Sequence, residues 1–261
     1  MQIRIRSMFV LAAAFSMQAA FAADPAQSKA ADKPAVIKNI EKQGVEIFGQ
    51  FDAPGGLRGF AGAAGQHPLA IYLTPDGEHA VVGTLIDAEG ADVNASVLQS
   101  MVLKPMSQRL WAKLEKSTWV QDGDPKAARI VYTFMDPNCP YCHRFWQAAR
   151  RWVQAGKVQL RHILVGVIRE DSANKAAAIM TAASPAEAFA LHEQQQAQGG
   201  VKALAVIPQD AKAQLDANER LMTELGIQGT PGILYLDDAG VVQTAAGMPQ
   251  PEDMDTVLGP H

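Results

Sequence analysis

The sequence holds two cysteines in 261 residues, and both fall in one short stretch, Cys139-Pro140-Tyr141-Cys142. The run before them, Arg129-Ile-Val-Tyr-Thr-Phe-Met135, is apolar and reads as a buried strand. After them, Cys142 to Val153 reads as an amphipathic helix, with Phe145, Ala149, Trp152 and Val153 on one face and Arg144, Gln147, Arg150 and Arg151 on the other. Cys139 thus falls where a strand gives way to a helix. The first N–H groups of a helix have no partner within it and present partial positive charge, which favours a thiolate. At such a place the pKa of a Cys-x-x-Cys cysteine drops from about 8.5 to roughly 3.5–7.5. Cys139 is expected to be acidic and exposed, a nucleophile at neutral pH. Cys142, one turn into the helix and more buried, suits attack on a mixed disulfide held by Cys139.

The same residues admit other readings. A static disulfide across two residues closes so small a loop that it restrains the unfolded chain little. A zinc site needs four ligands as a rule, and there is no second cysteine pair. The sharpest rival is haem, because Cys139-Pro-Tyr-Cys-His143 also satisfies the c-type attachment signature, with His143 as axial ligand. Against it stand the apolar strand ahead of the motif, Pro140 inside it, and strand and turn features downstream that a small helical cytochrome does not need.

The start of the chain bears on the compartment. Arg4 and Arg6 precede the apolar Met8–Phe15, and Ala20-Phe21-Ala22 is a small-x-small cleavage site, so residues 1–22 read as a secretory signal peptide cut near Ala22/Ala23. No later stretch approaches the roughly twenty apolar residues of a membrane span. Taking Arg4 and Arg6 from 23 basic residues leaves 21 against 27 acidic ones, a net charge of −6, and no basic patch argues for nucleic acid. In an oxidising destination, a single cysteine pair points to redox work more than to a disulfide framework.

Along the mature chain, residues 34–43 put Val36, Ile37 and Ile40 on one helical stripe with Gly44 as the stop. Strands are expected at 45–51 and 57–60, then a hairpin of 69–73 and 79–86 around Thr74-Pro-Asp-Gly77. This first unit, 23–93, reads as α+β, with His67 and His79 as surface residues and no cluster at ligand spacing. Residues 94–122 read as a connecting helix interrupted near Pro105. The second unit, 123–261, follows the order strand, Cys-x-x-Cys, helix, strand over 158–168, a helical insertion over about 172–225, Thr-Pro, hairpin and terminal helix, which is the thioredoxin arrangement. Pro231 at the head of a strand suits either a trans proline at a strand edge or a cis Thr230–Pro231 bond, and the cis form leaves the backbone of Thr230 to pair with an extended substrate opposite Cys139.

Asp52-Ala-Pro-Gly-Gly56, Tyr72-Leu-Thr-Pro-Asp-Gly77, Asp136-Pro-Asn-Cys-Pro-Tyr-Cys142, Gly156-Lys-Val-Gln-Leu160 and Leu164-Val-Gly-Val-Ile168 together resemble the DsbC/DsbG family of disulfide isomerases, over essentially the whole mature chain. The resemblance implies a periplasmic, V-shaped homodimer: an N-terminal cystatin-like dimerisation domain, a linker helix, and a thioredoxin-like domain with a helical insertion. It makes Cys139 the attacking and Cys142 the resolving cysteine, Thr230–Pro231 the cis-proline loop, and Pro140 and Tyr141 part of the substrate-binding surface. Pro140 matches the DsbG branch, since the DsbC branch has glycine there; the family suggests no role for His143. Members act without metal or cofactor as isomerases, chaperones and reductants of sulfenylated single cysteines. Their substrates are partly folded or oxidised proteins, and a membrane protein of the DsbD type keeps them reduced. A thiol oxidase of the DsbA kind would share the site chemistry but has no need of the first hundred residues.

Overall fold

The structure, a computed structural model, describes residues 33–260; the expected signal peptide and its cleavage site lie outside them. The chain forms two sheets. Helix α1 (Ala35–Lys42) stops at Gly44, which holds a positive φ of 94°, and leads into an antiparallel meander of β1 (Val45–Asp52), β2 (Arg58–Ala64), β3 (His67–Leu73) and β4 (Ala80–Val82). Ile37 of α1 packs on Phe60, Ile71 and Leu73, so the stripe read from the sequence is the one buried. The other face of this sheet, with Phe51, Ala61, Ala63 and Tyr72, receives Val102 from the long helix that follows. Strand β4 is only three residues long, where 79–86 was expected to pair.

The long helix does not break at Pro105. It runs as α2 (Ala95–Leu98), a π turn (Gln99–Leu103) and α3 (Lys104–Lys116). A proline deprives the carbonyl four residues back of its donor and crowds the preceding turn, and the wider π turn lies in the stretch ahead of the ring. Residues 120–122, read as the end of this helix, are instead β5 (Val120–Asp122), an antiparallel edge strand of the second sheet. Three residues are too few to show a period of two in the sequence.

The second sheet has the order β5-β7-β6-β8-β9. It contains β6 (Arg129–Met135), β7 (Val158–Leu164), β8 (Gly232–Leu236) and β9 (Val242–Ala246), with α4 (Pro140–Gln154) crossing between β6 and β7, which pair in parallel. One face carries α4 and the terminal α8 (Met254–Leu258), through Phe145, Ala149 and Trp152 against Val131, Leu160, Val257 and Leu258. The opposite face, Tyr132, Phe134, Ile163 and Leu234, is covered by Leu114 of α3 and Met222 of α7 (Gln209–Glu224). The connecting helix is therefore also a wall of this unit, with Trp111 set edge-on to Tyr132 at 5.0 Å between ring centres.

The helical insertion is α5 (Ser172–Met180), α6 (Pro185–Gln194) and α7; Ser184 caps α6 by accepting the Glu187 N–H. Its apolar residues Ala176, Ile179, Phe189 and Leu215 join Met135, Trp146 and both cysteines in one cluster. Because β6 and β7 run parallel, with Met135 opposite Leu164, the loops that follow them leave the sheet at the same edge. The apolar run to Ile168 was expected to extend β7, but the strand ends at Leu164 and residues 165–168 form one of those loops. Among the described residues no helix is long and apolar enough to cross a membrane.

Candidate active site

Cys139 is the N-cap residue of α4, in an extended conformation, with Pro140 in the first turn, where its missing N–H costs nothing. Its Sγ accepts the Cys142 N–H at 3.3 Å, and its thiol donates to the Thr230 carbonyl at 3.2 Å. The hydrogen bond from the Cys142 thiol, the Thr230 side chain and the N–H groups of Cys142 and Tyr141 all favour the thiolate. Together they outweigh burial and bring the Cys139 pKa down to about 6. Burial pushes the Cys142 thiol far up, and the neighbouring Cys139 sulfur adds to that. Both cysteines are free thiols. The expected contrast in exposure is slight, at 4% for Cys139 and 1% for Cys142, because the insertion helices cover both. What separates the two sulfurs is acidity.

The Thr230–Pro231 bond is cis, and Thr230 faces Cys139. Thr230 Oγ1 is buried without a hydrogen-bond partner while Cys139 is a thiol, so it is free to turn to the sulfur on ionisation. Pro140 and Tyr141 lie at the surface, the latter 54% exposed with the Arg144 guanidinium 5.3 Å from its ring centre. Cys139, Cys142, Thr230, Pro140 and Tyr141 are thus gathered at one edge of the sheet, with Pro231 at the head of β8.

Three polar groupings around this edge escaped the sequence reading. The first holds the loop that carries Cys139. The Asp136 carboxylate accepts from Asn138 N–H (2.8 Å), Ser172 Oγ (2.8 Å), Val167 N–H (2.7 Å) and Ile168 N–H (2.9 Å). The Asn138 side chain donates to Asp171 and Ser172 and accepts from Lys175, each at 2.9 Å. Lys175 in turn keeps the Asp171 carboxyl below its ordinary range. An Asp-Pro-Asn sequence before a helix is a turn signal that points to the local part of this grouping.

The second grouping lies beneath α4. His162 is fully buried, with Nδ1 2.6 Å from Thr133 Oγ1 and Nε2 3.1 Å from Asp122 Oδ2. Arg150 closes on both oxygens of Asp122. Burial alone would raise the Asp122 carboxyl, but the hydrogen bonds and charges of His162 and Arg150 reverse this and hold it well below the usual carboxylate range. Its members come from β5, β6, α4 and β7, and no local pattern in the sequence links them.

The third concerns His143. Its Nδ1 lies 2.8 Å from Oε2 of the buried Glu193 on α6, and its ring stacks on Trp146 with centres 6.1 Å apart. The residue that would have been an axial haem ligand is engaged in packing α4 against α6. His67 and His79 are at the surface as expected, although His79 contacts Asp76 at 3.3 Å.

Residues 121–260 match the model of a thioredoxin-like domain. The chain is 46% identical over 232 residues to the thiol:disulfide interchange protein DsbG of Pseudomonas aeruginosa, covering 89% of this chain and 91% of that protein. It is 40% identical over 238 residues to DsbG of Escherichia coli, covering 90% and 95% respectively. The chain belongs to the DsbG family of thiol:disulfide interchange proteins. DsbC of Dickeya dadantii is more distant, at 26% identity over 235 residues, covering 88% of each chain. As a DsbG-family member the chain is a thiol:disulfide oxidoreductase acting on protein substrates, and its free dithiol lies at the head of α4.

Proposed function

We propose that the chain is a periplasmic disulfide isomerase and sulfenic-acid reductant, with Cys139 as attacking and Cys142 as resolving cysteine. The observation that carries the assignment of roles is the split in acidity, with Cys139 at about 6 and Cys142 far above the ordinary thiol range. At neutral pH only Cys139 is a thiolate. It attacks one sulfur of a substrate disulfide, the S–S bond breaks, and the second substrate sulfur leaves as thiolate. A different substrate thiolate can then attack the mixed disulfide, giving a rearranged disulfide with no net redox change. Alternatively the Cys142 thiol loses its proton and attacks Cys139 Sγ, releasing reduced substrate and leaving the pair oxidised. With a sulfenic acid, thiolate attack on sulfur expels hydroxide, which takes a proton to become water, and the same mixed disulfide results.

Loss of the Cys139 thiol proton frees the Thr230 carbonyl, which supports backbone pairing of an extended substrate next to Pro231, beside Pro140 and Tyr141. Residues 23–93 serve as the dimerisation domain and 94–122 as the connection to the catalytic unit 123–261. The support for a homodimer is β4, which among the described residues pairs only with β3 and carries Val81 and Val82 at 61% and 55% exposure, with Ile86 nearby at 61%. Such a bare apolar edge invites a second strand. A membrane reductant of the DsbD type would return the oxidised pair to dithiol. The test is alkylation of the reduced protein across pH. The Cys139 rate is expected to rise through about pH 6 and then level off, and Cys142→Ala is expected to accumulate mixed disulfides through Cys139. A rate that climbs only near pH 8.5, the ordinary thiol range at about that value, would remove the assignment.

A further inference from the structure

We propose that the loop Gly166-Val167-Ile168 is a specificity element, which selects substrates whose target cysteine is flanked by apolar residues. This rests on the reading of Cys139 as the attacking sulfur, and adds to it a second point of contact. Val167 and Ile168 are 49% and 48% exposed, although each is a residue type that usually goes inside. They are not loose. Their two N–H groups are held by the single Asp136 oxygen Oδ2, at 2.7 and 2.9 Å, and Gly166 N–H donates to Glu219 of α7 at 3.1 Å. Gly166 also lies so close to α5 that a Cβ there would sit 2.5 Å from the Ala173 Cα. The backbone is pinned from three sides while the two side chains are left in solvent.

The position of the loop supplies the occupant. Asp136 fixes it to the segment that carries the nucleophile, since the Asp136 carbonyl accepts the Cys139 N–H at 3.0 Å and its carboxylate accepts the Asn138 N–H. Because β6 and β7 are parallel neighbours, the loop and Cys139 emerge at the same edge of the sheet, where Tyr141 adds a further exposed ring. A polypeptide joined to Cys139 must cross this edge. Rigid aliphatic groups there gain contact with apolar flanking residues at little entropic cost, because the loop is already ordered. A small disulfide such as oxidised glutathione has no such residues to offer. The chemistry favoured is therefore that of a cysteine from a protein interior, presented by a partly folded chain.

The experiment compares symmetric disulfide dimers of two six-residue peptides, each with one central cysteine, flanked either by Leu and Val or by Ser and Thr. Peptide thiol release by the reduced protein is followed chromatographically. In the wild type the apolar-flanked dimer is expected to react about ten times faster, and in a Val167→Ser/Ile168→Ser variant that ratio is expected to fall towards one. The ratio cancels any change in Cys139 itself. A wild-type ratio near one, or a variant that keeps the wild-type ratio, would overturn the proposal. Reaction of neither peptide would instead overturn the assignment of Cys139. Fluorescence anisotropy of the labelled peptides on the wild-type protein would then still read the apolar preference.

Discussion

The two sheets of this protein differ in the polar groups they bury. The unit of the five-stranded sheet draws polar side chains inward, with Thr133 and His162 on its strands, Asp136 in the loop after β6 and Glu193 on α6 all buried and each paired. The four-stranded sheet has Asn94 against the Tyr72 hydroxyl, at 3.1 Å, as its buried polar contact, and turns valines and an isoleucine out to solvent at its β4 edge. A paired polar group inside a low-dielectric interior fixes geometry, and that is what a sulfur of tuned acidity needs. A bare apolar edge leaves the isolated chain incomplete, and that suits association. The contrast supports the proposal that chemistry belongs to one sheet and assembly to the other.

The largest effect should come from putting charge on the bare edge. Val81→Glu with Val82→Lys would add four charges to a two-fold interface, and the dimer dissociation constant is expected to rise at least 100-fold. Light scattering at micromolar concentration checks this. A wild-type protein already monomeric there, or a variant still dimeric, would break the assignment of assembly to the first sheet.

Much of the candidate catalytic edge is legible in the sequence because its signals are local. The alternation of apolar and charged residues along α4, the position of Cys139 ahead of it, and the Thr-Pro before β8 each sit within a few residues. The misread stretches are those where a distant partner decides. Val165 to Ile168 is as apolar as the strand before it, yet the N–H groups of Val167 and Ile168 are taken by Asp136, 31 and 32 residues earlier in the chain, so the backbone turns away. The Asp122, Thr133, Arg150 and His162 grouping likewise exists only once four elements have packed. Hydrophobic periodicity reports which face is buried and not which polar groups meet there.

The buried grouping beneath α4 gives a second, smaller test of the contrast. Asp122→Asn leaves Arg150 and His162 facing a neutral amide, and is expected to cost about 3 kcal/mol at pH 7. The folded-state pKa of Asp122 is depressed, so its contribution is complete above the unfolded carboxylate value, about 3.9, and is lost as the pH falls towards the folded value. Urea unfolding at pH 7 and at pH 3 should show a deficit in the variant that shrinks on acidification. A deficit independent of pH would mean that packing, and not the charge, is what Asp122 supplies.

The smallest effect belongs to Asn138, where stability and reactivity can be told apart. Its side chain ties the loop of Cys139 to Asp171, Ser172 and Lys175 at the start of α5, with the hydrogen bonds all at 2.9 Å. Asn138→Ala removes one hub of that grouping and leaves the four donors to Asp136 in place, including the Asn138 N–H, which belongs to the backbone. The expected cost is about 1 kcal/mol, the ordinary net value of buried hydrogen bonding. If the tie also orders the sulfur against the Cys142 N–H, the midpoint of thiolate formation at Cys139 should move upward from about 6 as the N-cap contact loosens. Thiolate absorbance as a function of pH reads that midpoint independently of unfolding. A midpoint that stays put while stability falls would confine Asn138 to holding α5, and would leave the tuning of Cys139 to the Cys142 thiol, the helix terminus and Thr230.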